Sequence, residues 1–264
     1  MVNGITLLLT HLTSCSYIVT FNYSNFIYKP LSPQAYNNPA LMSTTWSDND
    51  LKEMASQLSS PDGENGKKTG ERMALSNQNM IARTIQQLNV TKDDHVLEIG
   101  HGNGSHVNDL IAIAPGLHYF GIDISETMHT EAIRLNKDLV KKNIVAFELS
   151  NGNDIDFPRN SFEKIFTVNT IYFWEKPAAY AKEIYRVLKP GGSFCVTFGD
   201  KKFMEKLPFT KWKFQLYDKD MVSDLLTKAG FAIAEINEET ETVKGNTGET
   251  IERDIIIIRA TKNN

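Results

Sequence analysis

Residues 96–104 read Val96-Leu97-Glu98-Ile99-Gly100-His101-Gly102-Asn103-Gly104, a short apolar run that ends in three alternating glycines. Apolar side chains at 96, 97 and 99 are the pattern of a central parallel strand buried on both faces. The glycines let the backbone turn sharply and let a ligand approach with no Cβ atoms in the way. Ser105 and His106 then begin a stretch of helical pattern to residue 113. Its unpaired N–H groups are expected to point into the turn.

Spacing separates this turn from its relatives. A dinucleotide fingerprint wants G-x-G-x-x-G and an acidic residue about 20 positions on. Here the glycines run G-x-G-x-G, Gly104 is followed by Ser105, and Glu98 stands inside the strand. A second strand, Tyr119 to Ile122, ends in Asp123, 19 residues after Gly104. A carboxylate at such a tip can accept both hydroxyls of a ribose. The set E-x-G-x-G-x-G plus G-x-D resembles the class I S-adenosylmethionine-dependent methyltransferases.

The resemblance continues in order over roughly residues 70–260. Ile155 to Ile165 resembles the segment before the family's fourth strand, with Asp156 where the family carries proline. Phe166 to Trp174 resembles that strand and its active-site tip, and Glu183 to Gly192 the helix and turn ahead of the fifth strand, Ser193 to Phe198. Leu225 to Phe231 resembles the helix before the final strand pair. The subgroup resembled contains the ubiquinone- and menaquinone-biosynthesis methyltransferases.

The resemblance implies S-adenosyl-L-methionine as cofactor. Gly100, His101, Gly102 and Gly104 would cradle its amino-acid end, with Glu98 acting on the ammonium group. Asp123 would take the ribose hydroxyls, with Ile124 and Met128 against the adenine. Asn151-Gly152 stands where relatives carry Asp-Ala and would face the adenine amino group. Asn169 and Thr170 would lie beside the sulfonium. Each has a plainer reading: Glu98 satisfied by local N–H groups, Asp123 as a helix cap, Asn151-Gly152 as a turn. Methyl transfer from a sulfonium mostly needs positioning, and a general base is optional. Tyr172 is the first candidate for a side chain near the methyl and His101 the second. The aromatic segment 203–217 reads as a further pocket wall, which suggests an apolar or aromatic acceptor.

Element order gives the fold. Strand patterns at 95–99, 118–122, 144–149, 163–168, 193–198, 231–237 and 251–260 alternate with helical ones at 105–113, 126–141, 176–188 and 218–229. This predicts an α/β, doubly wound, seven-stranded and mostly parallel sheet with a C-terminal antiparallel hairpin turning at 244–248. Domain 95–264 would hold the cofactor. Residues 42–94 supply an amphipathic helix (71–88) and a glycine-rich loop, 59–70, expected to be a mobile lid. Residues 1–41 carry one formal charge, Lys29. They read as a poorly ordered extension or a start assigned too early, with Met42 beginning the chain proper.

Composition bounds the rest. A net charge of −4 argues against nucleic acid as the main partner. Ile5 to Leu12 is too short to span a bilayer, so stable membrane insertion is not expected and a cytoplasmic enzyme is. Cys15 and Cys195, with six scattered histidines, have no metal-ligand spacing. The expected partner is a small-molecule acceptor, and the sequence leaves oligomeric state open. Two other classes share part of the pattern. A nicotinamide oxidoreductase would need a different glycine spacing and a Tyr-x-x-x-Lys pair. A regulatory module that binds the cofactor without catalysis would keep the same glycine turn and Asp123.

Overall fold

The computed structural model describes residues 17–20, 27–30, 47–244 and 250–263. Two units separate, residues 1–47 and residues 48–264. In the first, β1 (Tyr17–Thr20) pairs antiparallel with β2 (Ile27–Pro30). A region expected to have no pattern thus holds a two-stranded ribbon, and the rest of 1–46 lies outside the described residues.

The second unit begins with α1 (Asp48–Ser59) and α2 (Gly63–Leu88), then β3 (His95–Ile99), α3 (Val107–Ile111) and β4 (His118–Asp123). There follow α4 (Glu126–Leu135), α5 (Lys137–Lys141), β5 (Val145–Leu149), β6 (Phe162–Val168), α6 (Pro177–Val187) and β7 (Leu188–Gly199). The chain closes with α7 (Lys201–Met204), α8 (Lys219–Ala229), β8 (Ala232–Lys244) and β9 (Thr250–Thr261). Strand order is β5-β4-β3-β6-β7-β9-β8. β9 is antiparallel to both β7 and β8, and the other described pairs in this sheet are parallel. The predicted sheet and its hairpin are therefore present, while of the turn expected at 244–248 only Lys244, the end of β8, is among the described residues.

Burial follows the strand patterns. Val96, Leu97, Ile165, Phe166, Phe194, Val196 and Ile258 are buried in the layers on the two faces of the sheet. The predicted core role of Cys195 holds: burial pushes its thiol up to about 12. Among the described residues no helix is long and apolar enough to cross a membrane, and no three His, Cys, Asp or Glu side chains group to hold a metal ion.

Three local expectations are corrected. The helix predicted over 105–113 is the single short turn Val107–Ile111, because Gly104 and the turn carry the chain to residue 106. The helix predicted over 126–141 breaks at Asn136, whose side chain leaves the helical pattern to donate to the Gly104 carbonyl at 2.9 Å. The third correction is larger. The glycine-rich segment 59–70 is not a loop: from Gly63 on it is the first two turns of α2. Its glycines serve close approach, not freedom. A Cβ on Gly66 would sit 2.7 Å from the backbone of Pro61, and one on Gly70 2.5 Å from the sulfur of Met128 on α4. Asp62 and Gly63 open the helix, and the Gly63 N–H donates to Thr127 Oγ1 at 3.1 Å.

These contacts generate a test. Gly→Ala inside a helix ordinarily gains about 0.5–1 kcal/mol. At Gly66 the added methyl meets rigid backbone, so we expect a net loss of about 1–2 kcal/mol once overpacking is counted. Gly70→Ala meets only the flexible end of Met128 and should cost less. Denaturant melts of both variants check the order; a more stable Gly66→Ala protein would contradict the packing described.

Candidate functional site

The sheet is doubly wound about β3: the chain runs outward through β4 to β5, then returns to the other side of β3 as β6. Ligand crevices in such sheets open at the carboxyl ends of the strands beside that reversal. A cavity lies there, with about 1040 Å³ of atom-free space when the open solvent at its mouth is included. Its floor is the glycine turn, its sides Asp123 to Ile124 and Val168 to Thr170, and its roof Gly70, Met73, Ala74, Asn77 and Ile81 of α2.

Gly100, Gly102 and Gly104 all have left-handed backbone, with φ of +77°, +56° and +63°. Each glycine has its own reason to lack a side chain. A Cβ on Gly100 would strike Thr170 Cγ2 at 2.3 Å, and one on Gly104 would crowd Asn136, Ala132 and Phe147. A Cβ on Gly102 would meet no atom within 4 Å and the residue lines the cavity. The bare backbone there is open to a ligand.

Asp123 fixes that backbone. Its Oδ2 accepts the Gly102 N–H and its Oδ1 the Ser125 N–H, both at 2.9 Å. One lone pair on each oxygen remains for a ligand. Ser125, the N-cap of α4, accepts from Met128 N–H. Its hydroxyl donates to the Pro61 carbonyl at 2.5 Å, latching the start of α2 to the tip of β4. Met128 is buried and Ile124 is 44% exposed, and both line the cavity.

Glu98 is 2% exposed and already engaged. Its Oε2 accepts from His106 Nε2 at 2.7 Å and from the Tyr119 hydroxyl at 2.5 Å. Sequence reading missed both partners, because one lies past the glycines and the other on β4. Burial alone would lower the pKa of His106, but the charge of Glu98 and the hydrogen bond to it outweigh that and raise it. Burial and the neighbouring Glu98 push the Tyr119 hydroxyl far up. His101 is also 2% exposed. Its Nδ1 donates to the Gly102 carbonyl at 2.7 Å, its ring packs edge-on to Phe147, and its Nε2 is buried without a partner among the described residues. Burial lowers its pKa. The ring is thus a neutral wedge beneath the turn.

The tip of β6 holds the remaining expected residues. Asn169 has left-handed backbone, φ +58°, which Asn tolerates better than most residues. Its Oδ1 accepts from the Tyr172 hydroxyl at 3.1 Å, and its Nδ2 donates to Asn77 Oδ1 at 3.1 Å. The Tyr172 oxygen accepts the Gly199 N–H at 2.6 Å; burial raises its pKa, and it is not part of the cavity wall. Tyr172 therefore braces Asn169, where the sequence suggested a group beside the methyl. Thr170 sits in a closed relay: Trp174 Nε1 donates to Thr170 Oγ1, which bonds Thr167 Oγ1, which donates to the Ile99 carbonyl. Asn151 takes its plainer reading. Its Oδ1 accepts the N–H groups of Asn153 and Asp154 and its side chain serves a turn, while Ser150 and Gly152 line the cavity. Of the 203–217 segment nothing reaches the wall; Phe173, Trp174 and Tyr180 supply its aromatic side.

Comparison with known proteins agrees with this geometry. Residues 97–196 match the model of a methyltransferase domain. The chain is 31% identical over 163 residues to the uncharacterized methyltransferase YdaC of Bacillus subtilis, covering 60% of this chain and 83% of that one. The chain belongs to the class I S-adenosylmethionine-dependent methyltransferases. It is also 29% identical over 150 residues to a demethylmenaquinone methyltransferase of Symbiobacterium thermophilum, covering 55% of this chain and 59% of that protein. The fold superposes on a SAM-dependent methyltransferase of Aquifex aeolicus with a TM-score of 0.56 at 21% identity, covering 79% of this chain and 97% of the other.

The His106–Glu98 pair in this methyltransferase carries a pH signature. A raised histidine pKa in the folded state contributes stability that is whole below the unfolded value of about 6.5 and fades as pH climbs through the folded one. His106→Gln keeps a donor near Glu98 but no charge. The stability gap between wild type and His106→Gln should therefore be wider at about pH 6 than at about pH 9. Urea titrations at the two pH values check this; an equal gap at both would show that the pair carries no charge.

Proposed function

We propose that the cavity binds S-adenosyl-L-methionine and that the protein transfers its methyl group to a small acceptor with an apolar or aromatic body. The observation that carries this reading is the juxtaposition at the sheet's reversal point of the open backbone of Gly102 with the Asp123 carboxylate that holds it. A ribose with two adjacent hydroxyls fits the two remaining lone pairs of that carboxylate. Ile124, Met128 and Gly152 would flank the adenine. The glycine turn would accept the amino-acid end, with Glu98 beneath it. Glu98 has its Oε1 left for the ammonium group, while its Oε2 is held by His106 and Tyr119.

When bound, the cofactor supplies an activated methyl group on a sulfonium. The chain's own part is positioning. Asn169, braced by Tyr172 and Asn77, and Thr170, fixed by Trp174 and Thr167, present a rigid wall at the tip of β6. The roof of α2 excludes water from the space above it, which strengthens polar interactions inside. His101 combines a lowered pKa with an unpartnered Nε2, but that nitrogen is buried beneath the glycine turn, so no general base is assigned and the acceptor is one that is already nucleophilic or is activated by position. Leu58, Met73, Ile81, Phe173 and Trp174 make the acceptor side apolar, which favours a hydrophobic acceptor body over a phosphorylated or polycationic one.

Calorimetry tests the assignment. Wild type should bind adenosylhomocysteine with micromolar affinity and NAD far more weakly. Asp123→Ala should lose two charge-assisted hydrogen bonds, roughly 1.5–3 kcal/mol each before water refills the gap. Binding should thus weaken on the order of tenfold to several hundredfold. Tight NAD binding, or an Asp123→Ala protein that binds adenosylhomocysteine like wild type, would overturn the reading.

A further inference from the structure

The roof of the cavity is one stripe of α2: Gly70, Met73, Ala74, Asn77 and Ile81. Four of these are what an apolar roof requires; Asn77 is not. Its carbonyl oxygen is held from two sides, accepting from Asn169 Nδ2 at 3.1 Å and from Arg253 Nη1 at 3.2 Å. Arg253 cannot turn away. Its Nε donates to Glu241 at 2.7 Å and its Nη2 to the Ser76 carbonyl at 2.7 Å, and the Arg253–Glu241 pair is largely buried. Asn169 is fixed in turn by Tyr172. The amide of Asn77 therefore has one orientation: flipping it would set its NH₂ group against a guanidinium and another NH₂, donor against donor.

It follows that Nδ2 of Asn77 points the other way, and among the described residues it donates to nothing. A guanidinium bonded to the oxygen of an amide also makes its N–H groups stronger donors. We propose that Asn77 is a specificity-determining residue of the acceptor site: its Nδ2 donates a hydrogen bond to an oxygen, of the carbonyl or phenolate kind, carried on the acceptor's apolar body. The acceptor class is thus narrower than hydrophobic. A hydrocarbon of the same shape leaves a donor unpaired beside Met73 and Ile81 and loses the hydrogen bond it would otherwise make. Arg253, which does not itself line the cavity, acts through Asn77 as its positioning residue.

The inference rests on the assignment of the neighbouring half of the cavity to the cofactor, and the test keeps the two apart. The probes are 1-tetralone and its hydrocarbon counterpart tetralin, titrated by ligand-observed NMR onto wild type, Asn77→Asp and Asn77→Leu, each saturated with adenosylhomocysteine. Asn77→Asp keeps the shape and the partnership with Arg253 but turns an oxygen to the cavity; Asn77→Leu removes the donor and stays apolar. Wild type should hold tetralone about tenfold more tightly than either variant does, the worth of one hydrogen bond. Tetralin should bind all three proteins alike, which also shows that the cavity has kept its shape. Equal tetralone affinity in all three, parallel loss of both probes, or no binding of tetralone to wild type would each overturn the proposal. Failure of adenosylhomocysteine to bind wild type would instead overturn the cofactor reading, and the comparison of the two probes would still report on Asn77.

Discussion

The carboxylate of Asp123 is the constraint on which the rest of the site depends. Its two oxygens take one N–H from the glycine turn and one from the start of α4, so two strands' ends are held in one geometry by one side chain. Without it, Gly102 would be a left-handed residue with an unpaired N–H in a half-buried turn, a costly state. From the same point the order spreads outward. Ser125, fixed by Asp123, holds Pro61, and Pro61 is where α2 begins to roof the cavity. Residues 125–128 and 61–70 thus depend on a group that lines the cavity. A nucleoside that engaged Asp123, as proposed, would also stabilise the roof above itself through Ser125 and Pro61.

A second set of contacts holds the roof at its far end. Arg253 of β9 and Glu241 of β8 tie Asn77 and Asn79 of α2 to the hairpin, and Arg83 pairs with Glu239 one turn on. The C-terminal hairpin is therefore more than an edge of the sheet. It is a strut for the helix that roofs the cavity. Replacing one member of the buried Arg253–Glu241 pair would leave a charge uncompensated in low dielectric, so the strut and the roof of the cavity stand or fall together.

The fold and the glycine-turn side of the cavity were legible in the sequence because they rest on short-range signals. A buried strand, three glycines and a carboxylate at the next strand's tip each follow from local periodicity and spacing, and Gly100, Gly102, Asp123, Met128 and Asn169 all reach the cavity. What failed was wherever local chemistry has two solutions. Glycines in 59–70 read as freedom, but Gly66 and Gly70 are there because Pro61 and Met128 press against them, a tertiary fact with no local trace. Asn136 read as mid-helix, yet its side chain satisfies the Gly104 carbonyl 32 residues away. His106, Tyr119, Asn77 and Arg253 carry no motif at all. Arg253 stands in the charged run Glu252-Arg253-Asp254, and β9 carries a second arginine at 259, so nothing local in the sequence marks it.

The most direct test of the account is a crystal structure of the protein with adenosylhomocysteine bound. The account predicts both ribose hydroxyls within hydrogen-bonding distance of Asp123, whose bonds to the Gly102 and Ser125 N–H groups are retained, with the sulfur beside Asn169 and beneath α2. A nucleoside bound elsewhere, or an Asp123 side chain that must release Gly102 to reach the ribose, would contradict it.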